Sequence, residues 1–358
     1  MSEPNSLADH IFTGNIYIFH AFDIGDDIDL QKVEESHEII TRPLKLPKYF
    51  KNYHMPLPID LPHPHTSSRC ISTHIHGFGV VSFIYKIPFE SSLSELKKQL
   101  TQIESMYQEQ SVEDINSVYK KIKQYIKQPR LFHLRKSYVV IQVHEQKNIK
   151  SVAELQTLYG STIASLVRFE PGILSEYQKN EILADARGYY RGDLIIIDTE
   201  AAFVCDKEYE EILPLFEFAN IQHLELQYYD RLLDRQLNVA YQREIRKIPL
   251  KTYLPFIGSL IKDPVSALGM LKVEISAIIE RLESSIKLAG ETYISETYEL
   301  LVEKMDLQSW QESINKKFEI INDINLIYQH KTDAIREDLL TVSIIVLILL
   351  ELILGMHK

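Results

Sequence analysis

Eighteen residues near the end of the chain, Leu339 to Met356, read LLTVSIIVLILLELILGM, and they constrain the fold more than any other stretch. As an α-helix they span about 27 Å, close to the hydrocarbon thickness of a bilayer. A buried helix of a soluble bundle is rarely apolar on every face for this long. The run therefore predicts a transmembrane helix. Lys331 and Arg336 precede it, and this basic flank predicts that the bulk of the protein is cytoplasmic. Glu351 is the anomaly, because a carboxylate deep in a bilayer costs about 2.5–3.5 kcal/mol on insertion scales. The N-terminus is polar and acidic and does not read as a signal peptide.

The rest of the 358 residues is ordinary globular material, enough for about two domains. Lys and Arg total 39 and Asp and Glu 50, a net charge of −11, so no DNA partner is expected. Cys70 and Cys205 stand far apart in sequence and make neither a disulfide framework nor a Cys-based zinc site.

Residues 1–248 read as an α+β head. Ile16 to Phe22 predicts a strand, and Asp29 to Glu35 a short helix. Residues 42–68 hold six of the fourteen prolines and read as a long loop. Ile71 to Ile87 predicts one strand, or two joined at Gly77-Phe78-Gly79. Ser91 to Lys127 predicts a helix capped by Ser91 or Ser94. A strand over Ser137 to Val143 and a helix capped by Ser151 follow. Asp193 to Cys205 contains a further strand. A helix from Tyr209 to Lys247 is expected to bend at Pro214. Residues 249–264 read as a linker. Apolar spacings of three and four over 265–338 predict two long amphipathic helices, a helical hairpin or coiled coil running into the membrane segment 339–356.

The chain lacks the Walker, Rossmann, nucleophile-elbow and zinc-protease motifs. Four groups remain. His63, His65, His74 and His76 form two His-x-His pairs. On a strand, His74 and His76 share a face, the spacing that two imidazole ligands of one zinc ion need. No carboxylate stands at a defensible supporting distance in sequence. Arg187, Tyr190 and Arg191 lie in a Gly-containing turn where the arginines can fork onto phosphate or carboxylate, or pair with Asp185 and Asp193. Asp230, Arg231, Asp234 and Arg235 alternate along one helix, as a salt-bridged or interface surface. The basic run Lys120 to Lys136, interleaved with Tyr119, Tyr125 and Phe132, can meet RNA or anionic lipid, although a solvated face is the plainer reading.

Three stretches carry a family resemblance: the strand and turn near residues 17–30, the helix segment LLDRQLN ending at Asn238, and the tail LTVSIIVLILLEL with Glu351. Together they resemble the required-for-meiotic-nuclear-division family of uncharacterised-domain proteins, found in bacteria and mitochondria. The resemblance implies an α+β head, a coiled-coil region and a C-terminal membrane segment holding a glutamate, matched by Glu351. It implies a homo-oligomer at the membrane, the bacterial inner membrane being expected here. Support of translation is the role known for mitochondrial members. It brings no catalytic residue and no cofactor.

The expectation is thus a tail-anchored, homo-oligomeric scaffold or adaptor, with Glu351 at a helix–helix contact. A metal-dependent hydrolase using the four histidines and an RNA- or ribosome-binding module are the alternatives.

Overall fold

The computed structural model describes residues 10–43, 55–60, 69–131, 134–145, 151–188, 190, 192–243, 264–285 and 292–356. It forms two compact units, Met1–Leu226 with Arg281–Gln308, and Gln227–Glu280 with Ser309–Lys358.

The first unit is built on a seven-stranded sheet. In chain order its strands are β1 (Phe12–Asp23), β3 (Leu57–Ile59), β4 (Cys70–His76), β5 (Val80–Ser91), β7 (Arg135–Val143), β8 (Leu194–Ile197) and β9 (Ala201–Cys205). The spatial order is β3-β4-β5-β1-β7-β9-β8. Every pairing is antiparallel except that of β7 with β9. The short strands β2 (Asp27–Ile28) and β6 (Ile126–Lys127) make a separate pair.

β1 lies at the centre and is buried along nearly its whole length. A strand covered on both faces has no solvent side, so its sequence is continuously apolar rather than alternating. Phe12, Ile16, Ile18 and Phe22 point to one face and join the main core. That face is covered by α2 (Leu93–Ile122), α3 (Val152–Val167) and α4 (Glu176–Ala184). Leu93, Leu96, Leu100, Ile115, Val118 and Ile122 recur at helical spacing along α2 and bury there. Ser92 caps α2 through the N–H of Glu95, in place of the expected Ser91 or Ser94. Ser151 caps α3 and Asp29 caps the short α1 (Leu30–Glu35), as their sequences predict.

The opposite face of the sheet receives α5 (Tyr209–Arg243), which carries Pro214 inside it. Tyr209 meets Tyr17 of β1, and Phe216 stacks on Tyr138 of β7 at 5.6 Å. Asn220 donates to the backbone oxygen of Lys136 at 3.2 Å.

The β4–β5 hairpin turns at Gly77-Phe78-Gly79. Gly79 has φ +102°, and a Cβ there would sit 1.8 Å from the oxygen of Gly25. The adjoining turn is held by Arg130, which is bound to Asp23 and Asp26 and donates to the Gly25 oxygen at 3.1 Å. Arg130 is therefore turned inward and is not part of an exposed basic face.

Beyond the head, three helices replace the two expected over 265–338. They are α6 (Pro264–Ser285), α7 (Thr292–Lys304) and α8 (Leu307–Met356). The break between α7 and α8 falls at Asp306, with φ 55°. α7 belongs to the first unit, where Ile294, Thr297, Leu300 and Leu301 are buried. Tyr293 bonds Asp206 at 2.7 Å, Tyr298 bonds Gln222 at 2.6 Å and Lys304 pairs with Asp185 at 2.6 Å. The sequence-expected linker 249–264 lies outside the described residues up to 263.

In the second unit, Ile314, Phe318, Ile321 and Ile324 form the buried stripe of α8, and Leu233, Leu237 and Ile275 are buried on α5 and α6. The same α8 then runs on through the apolar stretch. Thr341 and Ser343 return their hydroxyls to the carbonyls of Glu337 and Leu339, so neither is left with an unmet donor.

Candidate functional site

β4 and β5 present a polar cluster to α5. In an antiparallel pair, alternate side chains share a face. Ser72, His74 and His76 of β4 accordingly line up with Ile84, Ser82 and Val80 of β5 on the α5 side. The bulge between Cys70 and Ser72 sets this register and places the extra residue, Ile71, at the surface.

Into this face α5 inserts Glu217, a lone carboxylate within the apolar run Leu213-Pro-Leu-Phe-Glu-Phe-Ala219. Its Oε1 lies 2.7 Å from His74 Nδ1 and also accepts from the Ser82 hydroxyl. The other ring nitrogen, His74 Nε2, lies 2.8 Å from Ser72 Oγ. Hydroxyl, imidazole and carboxylate thus stand in series across one strand and a helix, with Ser82 of β5 joining at the carboxylate.

The electrostatics follow from the burial. Desolvation disfavours the charged form of His74, but the charge and hydrogen bond of Glu217 outweigh it, and the His74 pKa is raised. Desolvation likewise opposes charge on Glu217. His74, with help from Ser82, overcomes it and holds the carboxyl below its ordinary range. His76 lies deeper, and burial drives its pKa down to about 3, so it is neutral in the folded protein. Its ring packs at 5.2 Å on Phe78 and 6.5 Å from the ring of His74.

A cavity of about 240 Å³ opens beside this chain of groups. Ser72, His74 and Glu217 line it with Ile59, Ile71, Ile84 and Leu213, and Arg42 and Glu210 add charge to the wall. Arg42 is fixed there by its N–H to the Pro58 oxygen at 3.0 Å and by an ion pair with Asp60 at 2.5 Å. Pro58 sits opposite His74 on β3, an edge strand, where a missing N–H is tolerated.

Of the four histidines foreseen as zinc ligands, the described residues include His74 and His76. His74 and His76 do share a face, but His74 is committed to Glu217 and Ser72. His63 and His65 lie outside the described residues. No group of three or more His, Cys, Asp and Glu suited to a metal occurs among the described residues. Cys70 and Cys205 are both thiols, and burial raises that of Cys205 to about 11.

Arg187 forms an antiparallel bridge with Ile195, its N–H donating to Ile195 O at 2.9 Å. Tyr190 is exposed, and its backbone N–H is capped by Asp193 at 2.7 Å. Arg191 lies outside the described residues. This segment is a turn closed by its own aspartate. Asp230 and Asp234, one helical turn apart, share Lys317 at 2.7 and 2.8 Å, and Ser313 donates to Asp230 at 2.6 Å. The Lys317 ammonium therefore bridges the two carboxylates. Arg231 and Arg235 are exposed, as is Glu351.

Sequence reasoning missed Ser72, Ser82, Glu217 and Arg42. A Ser-x-His alternation on one strand, together with a solitary glutamate in an apolar helix face, is the signal that could have found the first three.

An α+β protein with a partly buried Ser–His–Glu series beside a small cavity, followed by helices of which the last is long and apolar, is the class these features define. The chain belongs to the family described as "Uncharacterized protein MJ0711, N-terminal domain", whose model matches residues 13–211. Ser72, Ser82 and His74 fall inside that span, and Glu217 lies just past it. A relative from Methanocaldococcus jannaschii, "Uncharacterized protein MJ0711", is 29% identical over 201 residues, covering 55% of this chain and 60% of its own length. The chain thus matches less than two thirds of that relative. No solved structure matches.

Proposed function

We propose that this is a single-pass membrane protein in which α8 anchors a cytoplasmic α+β head that serves as a scaffold or adaptor. The observation that carries the reading is the state of Leu339 to Leu354. Its large apolar side chains are between 41% and 66% exposed, and none is covered by the other described residues. Thirteen Leu, Ile and Val side chains left in water would cost on the order of 20 kcal/mol relative to burial. Among the described residues, one helix is long and apolar enough to cross a membrane, and it is this one. Lys331 and Arg336 place the basic flank on the side of the head.

Self-association through the helices, coiled-coil packing included, extends this reading. Glu351 then finds a polar partner on a neighbouring copy, where a buried carboxylate is less costly than against lipid. Support of translation at the membrane, and affiliation with the required-for-meiotic-nuclear-division family, enter by analogy alone.

Alkaline extraction of membranes tests the anchor. The full-length chain should remain in the pellet, while a chain ending at Arg336 should wash into the supernatant. Release of both would overturn the reading.

A further inference from the structure

We propose that Ser72, His74 and Glu217 form an acyl-transfer site that hydrolyses esters of short, apolar acyl groups in the cavity between the β3–β4 edge and α5. The arrangement supplies each part that nucleophilic hydrolysis needs. Ser72 Oγ is 2.8 Å from His74 Nε2, within reach of a base. His74 Nδ1 is 2.7 Å from Glu217, which fixes the tautomer that leaves Nε2 free to accept a proton. Ser82 binds the same carboxylate oxygen and is a positioning residue, holding Glu217 from the strand side.

A plain buried ion pair would explain His74 and Glu217. It would not explain why the far nitrogen of the ring is met by a second hydroxyl, nor why that hydroxyl lines a cavity. The volume, about 240 Å³, lies below the roughly 300 Å³ at which pockets for drug-sized ligands begin. Ile59, Ile71, Ile84 and Leu213 make its walls apolar, which selects a short aliphatic acyl chain. Arg42 lines the same wall and is paired with Asp60 through Nη2; in this proposal its remaining N–H donors serve the developing oxyanion.

The reaction balances without any cofactor. Ser72 Oγ attacks the ester carbonyl carbon while His74 Nε2 takes the hydroxyl proton, and Glu217 stabilises the resulting imidazolium. The tetrahedral intermediate collapses, the C–O bond to the alcohol breaks, and the departing oxygen takes the proton from Nε2. Water, deprotonated by the same nitrogen, attacks the acyl–Ser72 ester. The acid leaves and the proton returns to Ser72. The charged and titratable groups around His74 are Glu217 and Glu210 from α5, Arg42 from the edge segment and His76 along β4. Because Glu217 raises the His74 pKa, the base form should grow, and the rate should rise, from neutral to alkaline pH.

The test uses the full-length chain in detergent with a fluorophosphonate, which serine attack converts to a phosphonyl ester with loss of fluoride, and with p-nitrophenyl butyrate. The expected result is one adduct, on the peptide containing Ser72, and butyrate turnover that falls at least about a hundredfold in Ser72→Ala. Ser72→Ala should keep its thermal midpoint, and Glu217→Gln should lower turnover while keeping adduct formation at Ser72 detectable. A folded wild-type protein with no Ser72 adduct, or turnover unchanged in Ser72→Ala, would overturn the proposal. Membrane anchoring is untouched by either result.

Discussion

Glu217→Gln is the substitution that most sharply probes the buried chemistry of the head. It keeps the shape and the hydrogen-bonding oxygen but removes the charge facing His74. Breaking a buried ion pair by deleting one partner costs about 3–5 kcal/mol when the other charge is stranded. His74 can escape part of that cost by losing its proton, after which the loss is that of a charge-assisted hydrogen bond, about 1.5–3 kcal/mol. The two regimes are separated by pH. In the wild-type protein the folded His74 pKa lies above its unfolded value, so its contribution is complete below about pH 6.5 and fades as pH rises through the folded value. Glu217 is depressed, so its contribution is present above its ordinary carboxyl range and is lost as pH falls through the folded value. The destabilisation by Glu217→Gln should therefore be greatest near pH 6, about 3 kcal/mol or more, and should shrink toward pH 9. Urea titration followed by far-ultraviolet circular dichroism reads it as a midpoint lowered by about 1–2 M near pH 6, with a smaller drop at pH 9. An identical shift at both pH values would show that the cost does not depend on the His74 proton and would refute the reasoning.

Two further outcomes follow from the same physics. His20 is buried against Phe22 and Tyr85, and neither ring nitrogen makes a hydrogen bond among the described residues. Burial, aided by the charge of Arg135, drives its pKa to about 3, below the unfolded value of 6.5, so stability is full above pH 6.5 and is lost as pH falls toward 3. Between pH 7.5 and pH 5 that loss is about 2 kcal/mol, and His20→Phe should remove it from the urea-derived stability difference between those pH values. Lys317→Met should strand Asp230 in the second unit and cost on the order of 3 kcal/mol, read as faster hydrogen exchange over residues 227–238. Unchanged exchange would mean that the pair is solvated.

The elements legible in the sequence are those whose pattern is local. The apolar run of β1, the Ser151 cap of α3, the long α5 with Pro214, and the all-apolar end of α8 each declare themselves within a few residues. The His74–His76 alternation correctly puts both rings on one face. What escaped was fixed by distant contacts. β3 consists of Leu-Pro-Ile inside a proline-rich stretch that reads as loop, and only β4 beside it makes it a strand. The α7–α8 break falls at Asp306, a position with no glycine or proline to announce it. Glu217 stands 143 residues from the histidine it serves, so no spacing rule could have joined them. The same holds for Lys317, which bridges Asp230 and Asp234 although it stands 87 residues from Asp230.

The anchor is the central claim, and reconstitution tests it most directly. Full-length protein would be mixed with lipid vesicles, floated on a density gradient and treated with protease from outside. The account predicts that the protein floats and that digestion leaves one protected fragment beginning after Arg336 and containing Leu339 to Met356. A protein that stays at the bottom of the gradient, or a helix cut within that stretch, would contradict it.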